Sequence, residues 1–238
     1  MPWGIATLVY LCALFFSIYT TNSNTLIRYP IEPYIFGSEP VDLFFPLLVT
    51  IPFTWPIYFL RKDNFLQYVS MRIEPKSYLR IQVLASLTLC FLMVLLVNIA
   101  GVVFSLNIAD VVKNIRGPSL TDYILGDMQM ANPLKFGILW SFYKACISML
   151  ICLLGQTFAY YVKNLFYALL APFALVFLEN FLTAITRLAR FSFTTTFVLN
   201  RLSPKAMSIG NLAVGISVFV VAIIVASKNL ARYDQSDN

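Results

Sequence analysis

The amino-acid sequence predicts an all-α, polytopic membrane protein: six transmembrane helices in one transmembrane domain covering residues 1–238. Three observations predict it. The chain is 59% hydrophobic and only 12% charged, where a soluble domain carries roughly 45–50% apolar and about 25% charged residues. Its mean hydropathy is +0.77. The apolar residues gather into runs close to the roughly 20 residues that a helix needs to cross the hydrocarbon core. The runs lack the strict alternation of a spanning β-barrel strand.

The first span is placed at 5–20 (IATLVYLCALFFSIYT). A cleaved signal would start with basic residues and end in small ones. MPWG carries no basic side chain, and Thr20 to Thr25 offer no small-residue cleavage pattern, so a retained helix is expected. Residues 21–42 read as a loop rich in Pro, Asn and acidic residues, among them Glu39 and Asp42. The second span, 43–60, holds Pro46, Pro52 and Pro56 and is expected to be kinked; neighbouring helices can satisfy the carbonyls that prolines free. The third, 81–109, is uncharged throughout and longer than one bilayer thickness, so it tilts or protrudes. A mixed-charge loop, 110–135, follows. The fourth span, 136–162, and the fifth, 165–186, are separated only by Lys163-Asn164. Residues 187–205 form a basic loop, 206–227 the sixth span, and 228–238 a polar tail.

Six spans put both termini on one side. With the termini inside, eight basic residues fall on the inner segments and eight on the outer loops, so the positive-inside rule does not orient the chain. The densest basic cluster, 61–80, favours a cytoplasmic place for itself. Within it Phe65, Leu66, Val69 and Ile73 follow helical spacing, and Pro75 suits the first turn of the next helix. The segment reads either as a basic loop resting on lipid headgroups or as a short amphipathic docking helix over 63–74.

The net charge of +6 is read as headgroup and loop placement, with no nucleic-acid surface. Cys12, Cys90, Cys146 and Cys152 lie inside apolar runs without metal-ligand spacing and are expected to pack as small hydrophobes. The chain has no histidine, which removes most general-base, zinc and triad chemistry. Ser141-Phe-Tyr-Lys144 fits S-x-x-K, but the S-D-N and K-T-G partners of that acylating motif are missing. No phosphate loop of the G-x-x-x-x-G-K-[ST] kind occurs. The chain is thus expected not to be an enzyme.

Lys144 and Glu179 are the charges that fall well inside spans, and such charges are paired or functional as a rule. Counted from the Lys163-Asn164 turn they differ in height by about 6 Å. Three readings stay open: an ion pair between them, independent snorkelling to the outer interface, or a place on a translocation path. The basic loop 187–205, with Arg187 and Arg190, is read as a surface where an anionic headgroup or acidic peptide could meet the chain.

A basic turn after the second span, a short amphipathic stretch, and Arg72, Lys76 and Tyr78 leading into the third span resemble ABC-2 type permeases of ABC transporters. The block 137–182 is similar to the fourth and fifth spans of small Gram-positive members, with a turn at Lys163-Asn164 and the pair Pro172-Phe173. The chain departs from them in having only MPWG where the family carries an amphipathic helix before the first span. The resemblance implies an ABC-2 (type V exporter-like) permease fold in a multi-pass bacterial plasma-membrane protein. It implies a coupling helix carried by Asp63, Phe65, Leu66, Val69, Arg72 and Ile73, which seats in a separate ABC ATP-binding subunit. ATP and magnesium would sit on that partner, with no cofactor in this chain, and a second protomer, identical or homologous, would complete a dimer. The cargo would be an amphipathic or hydrophobic substrate such as an antimicrobial peptide, a bacteriocin or a drug. The alternative is a non-transporting membrane scaffold or immunity protein that binds a partner without ATP coupling.

Overall fold

The computed structural model describes residues 2–63, 65, 71, 75–111, 124–199 and 208–236. Among them every regular element is a helix: α1 (Pro2–Asn24), α2 (Glu32–Leu43), α3 (Phe45–Lys62), α4 (Pro75–Ile108), α5 (Gly126–Ala131), α6 (Pro133–Tyr161), α7 (Leu165–Ile185), α8 (Thr194–Phe197) and α9 (Ile209–Ser236). A single parallel bridge, Ile27 to Val111, is the extended pairing among these residues.

Four helices are long and apolar enough to cross a membrane: Trp3–Asn24, Ser77–Ile108, Pro133–Tyr161 and Leu165–Ile185. α2 and α3 meet the same test only together, and they are bent by 55° at Phe44. The expected span 43–60 is mostly α3, and the bend lies at its start, where α2 meets it. Pro46 in the first turn of α3 brings no N–H to continue the hydrogen-bond ladder of α2, which makes the bend inexpensive. Residues 32–42, expected as loop, are helical, and α1 runs on to Asn24. The sixth expected span corresponds to a shorter apolar stretch, Ile209–Val225, within α9.

α6 is the hub of the bundle, touching α3, α4, α5, α7 and α9. Its sequence explains why. Gly137, Ser141, Ala145, Ser148, Cys152, Gly155 and Ala159 recur every three or four residues and are all buried. In lipid, where apolar burial drives little, small residues let helices approach closely and gain dispersion contacts. A Cβ on Gly155 would stand 2.7 Å from Thr54 Oγ1 and 2.9 Å from Thr50 Cγ2 of α3. Many of the exposed side chains on the long helices are large and apolar, such as Phe16, Leu84, Leu96, Leu178, Phe181 and Val221, as a lipid-facing surface requires. Cys12 and Cys146 lie on that surface, while Cys90 and Cys152 are buried.

α2 is folded back against α1. A Cβ on Gly37 would come within 2.7 Å of the Ile18 Cα, so glycine alone admits this contact of backbones. The consequence is that α2 lies inside the bundle, and its polar residues with it.

Candidate functional site: a buried ion pair on a bent helix

Lys144, on α6, is completely buried. Its Nζ donates to both carboxylate oxygens of Asp42, each at 2.8 Å. Asp42 is 2% exposed and sits in the last turn of α2, just before the bend. An ammonium in the interior of an apolar bundle is costly unless a carboxylate meets it at contact distance. The fold supplies one by turning α2 inward. The Tyr34 ring adds a cation–π contact, its centroid 5.9 Å from Nζ.

This corrects the pairing of Lys144 with Glu179. Glu179, partly buried on α7, accepts instead from the Ser192 hydroxyl at 2.9 Å and the Phe193 N–H at 3.0 Å. It ties α7 to the segment leading into α8. The similar heights of the two residues on adjacent helices were not enough, because height says nothing of which way each helix faces.

A hydrogen-bonded chain continues from the pair's surroundings through α4 to α1. The Tyr34 hydroxyl donates to Asn98 Oδ1 at 2.8 Å. Asn98 Nδ2 donates to the Tyr10 hydroxyl at 3.0 Å and to the Val94 carbonyl at 2.9 Å. Tyr10, Tyr34 and Asn98 are all fully buried. The start of α2 is fixed as well: the Tyr34 N–H donates to Ser105 Oγ at 3.0 Å, and Ser105 Oγ donates to the Pro30 carbonyl at 3.1 Å. Buried polar groups satisfied in this way specify one packing arrangement.

The pair has an approach from outside. An open cleft of about 330 Å³ is lined by Glu39, Pro40, Leu43, Asn180, Thr194 and Val198. A narrow recess of about 10 Å³ shares Leu43, Asn180 and Thr194 with it and reaches Asp42. That is close to the room for one water. Thr194 Oγ1, buried beside it, has no hydrogen-bond partner among the described residues. The arrangement joins a cleft of mixed lining beside α2, α7 and α8 to an ion pair in the bundle's interior.

Two other expectations change. Residues 192–199, expected in an exposed basic loop, are buried, and Phe193 stacks on Phe219 of α9 with centroids 3.7 Å apart. Arg187 and Arg190 remain exposed, with Arg190 over the Phe191 ring. In the Ser141–Lys144 motif, Ser141 Oγ donates to the Gly137 carbonyl of its own helix at 2.7 Å and the lysine is committed to Asp42, so no nucleophile and base are brought together.

Of the expected coupling helix, Leu66, Val69, Arg72 and Ile73 lie outside the described residues. Asp63 ends α3, its N–H donating to the Phe59 carbonyl at 2.9 Å. Phe65 is exposed, with its ring 6.3 Å from that of Tyr78 on α4. Asp42, Asn98 and Tyr34 were missed by sequence reasoning. Asn98 was legible as the polar residue near the middle of the third run; Asp42 was hidden by its place in a stretch read as loop.

No family model, no curated protein and no solved structure matches this chain.

Proposed function

We propose that the chain is the membrane-spanning permease subunit of an ABC-2 type exporter. It works as a dimer with a separate ATP-binding subunit and moves an amphipathic or hydrophobic substrate, such as an antimicrobial peptide, bacteriocin or drug, across the bacterial plasma membrane. Counting the bent α2–α3 pair as one crossing and α9 as another gives six spans with α1, α4, α6 and α7.

The observation that carries this reading is the course of α3. It starts at the bend beside Asp42 and ends at Lys62, where the basic segment 61–80 begins. Its 18 residues rise about 27 Å at 1.5 Å each, nearly the thickness of a hydrocarbon core. At its far end α3 is clamped to the α6–α7 turn: the Arg61 guanidinium donates to the Tyr160 carbonyl, and the Tyr58 hydroxyl donates to the Lys163 carbonyl at 2.7 Å. A push on 61–80 would reach the bend, the ion pair and the cleft through α3 together with the α6–α7 turn to which it is clamped. With no phosphate loop in the sequence, the push comes from a partner.

The test is purification of tagged protein from native membranes with ATPase activity assayed on the eluate. The comparison is a variant carrying Phe65→Glu, Val69→Glu and Arg72→Glu. Co-purifying ATPase that the variant loses is the expected result. Absence of ATPase, or its retention by the variant, removes the exporter reading and leaves the non-transporting scaffold.

A further inference from the structure

We infer that Cys90 and Cys152 form a peroxide-sensitive dithiol, which closes into a disulfide and locks α4 to α6. Both residues are 0% exposed, and they come from the two helices that pack most extensively on each other among the described residues. Cys90 Sγ lies 3.7 Å from the Ser148 carbonyl oxygen and 3.5 Å from Ser148 Oγ. In an α-helix that carbonyl accepts the N–H four residues on, which is that of Cys152. The Cys90 sulfur therefore stands over the turn that carries Cys152, and the two thiols come within hydrogen-bonding reach of each other.

Gln156, one turn further along α6, gives the pair a chemical setting. Its Nε2 donates to Cys152 Sγ at 3.3 Å. Its Oε1 is buried and has no hydrogen-bond partner among the described residues, and the residue is 3% exposed. A buried acceptor is rarely left empty. One amide thus offers an N–H to negative charge that builds on the Cys152 sulfur as its proton leaves, and an acceptor to an O–H brought beside it. Hydrogen peroxide supplies that O–H. It is close to water in size, and water-sized guests occupy interior polar spots of this kind.

The chemistry closes with hydrogen peroxide as the oxidant. The Cys152 sulfur attacks one peroxide oxygen; an S–O bond forms, the O–O bond breaks, and the thiol proton leaves with the departing oxygen as water. Cys152 is then a sulfenic acid whose O–H donates to Gln156 Oε1. The Cys90 sulfur attacks the Cys152 sulfur; the S–S bond forms, the S–O bond breaks, and the Cys90 proton leaves with the hydroxyl as a second water. Two electrons pass from the sulfurs to the peroxide. The apolar interior favours this outcome over a metal. Two thiolates around a soft monovalent ion would leave a net negative charge in the bundle, whereas a disulfide is neutral. Among the described residues no group of three or more Cys, Asp or Glu is placed to hold a metal ion. The inference is independent of the exporter reading.

The experiment uses the full-length protein in neutral detergent with its two exposed thiols removed by Cys12→Ala and Cys146→Ala. Reduced protein is treated with hydrogen peroxide, freed of it, and either heated or denatured in N-ethylmaleimide for mass spectrometry. Expected is joint loss of both free thiols, a cross-linked pair of peptides containing Cys90 and Cys152, and a melting midpoint higher by roughly 5–15 °C. Cys90→Ser, added to the same protein, removes the second sulfur, and its midpoint should not respond to peroxide. Gln156→Leu should cross-link roughly ten-fold more slowly, with the midpoint of its reduced form showing that it is folded. Two thiols that remain open to N-ethylmaleimide, or oxidation to sulfinic acid with no cross-link, overturn the proposal. A midpoint that still rises in Cys90→Ser does so too. An unchanged rate in folded Gln156→Leu removes Gln156 as the positioning residue.

Discussion

Replacing Asp42 by asparagine keeps the shape of the site and removes its negative charge. Lys144 is then left with an ammonium at 0% exposure that has lost the charge facing it across two 2.8 Å contacts. Breaking a buried pair from one side costs about 3–5 kcal/mol. For a chain of this size that is a fall of roughly 6–20 °C in the unfolding midpoint. Lys144→Met strands the carboxylate instead and should cost a similar amount. The double variant, Asp42→Asn with Lys144→Met, strands nothing and fills the lysine's volume with an unbranched apolar chain. It should recover most of the loss. The assay is thermal unfolding of detergent-purified protein followed by tryptophan fluorescence. Expected is a coupling of about 3 kcal/mol between the two positions. Glu179→Gln combined with Lys144→Met should instead give the sum of its parts. The reasoning fails if the Asp42/Lys144 double variant drops by the sum of its two single drops, or if Glu179→Gln rescues Lys144→Met.

Three further outcomes are expected. Asn98→Leu removes the link between Tyr10 and Tyr34 and should cost about 1–3 kcal/mol, read as a lower midpoint in the same thermal assay; an unchanged midpoint would refute a structural role for the network. Gly37→Ala forces a Cβ to 2.7 Å from the Ile18 backbone, so α2 must move as a body; a loss of about 1–3 kcal/mol is expected, accompanied by greater proteolysis at 25–31, and a neutral substitution would mean that α2 does not lie on α1. A small apolar thiol reagent added in detergent should label Cys12 and Cys146 and spare Cys90 and Cys152; mass spectrometry of the labelled chain decides it, and labelling of all four while folded would contradict the packing of α4 on α6.

What could be read from the sequence was whatever depends on composition and on periods within one segment. The apolar runs that became α1, α4, α6 and α7 are long and carry at most one charge within the core of each, so lipid as the solvent leaves them one solution. Pro75 at the first turn of α4 and the short Lys163-Asn164 turn are local signals of the same kind. The site was not legible because it is made by contacts between segments distant in sequence. Asp42 and Lys144 are 102 residues apart, and Asp42 stood in a stretch whose Pro, Asn and acidic residues read as loop. Its helix forms because the chain can fold back: Gly37 permits the approach to α1, and the small-residue stripe of α6 leaves room for α3 beside it. Glu179 was visible as an intramembrane charge, yet its partners, the Ser192 hydroxyl and the Phe193 N–H, belong to a segment judged exposed because it is basic and rich in Thr and Ser.

The placement of the pair at the bend bears on how such a bundle could move. A straight helix between 32 and 62 would turn Asp42 with the rest of its face and could not be displaced without carrying α3 along. The 55° break separates the two, so α2 can shift while α3 stays clamped by Tyr58 and Arg61. What opposes such a shift is specific: two contacts to Lys144, the Tyr34–Asn98–Tyr10 chain, and the bond from the Tyr34 N–H to Ser105. The latter two groups hold the first turn of α2, whereas the ion pair holds its last. A rotation about the first turn would therefore strain the ion pair and the Gly37–Ile18 packing and open the recess at Asp42 toward Asn180 and Thr194. On the exporter reading this makes the Asp42–Lys144 contact the latch of the cycle. Its double replacement by Asn and Met should then leave the fold intact and uncouple ATPase activity from transport, whereas a purely structural pair would leave the two coupled. Measuring both rates in proteoliposomes of the same preparation separates the cases.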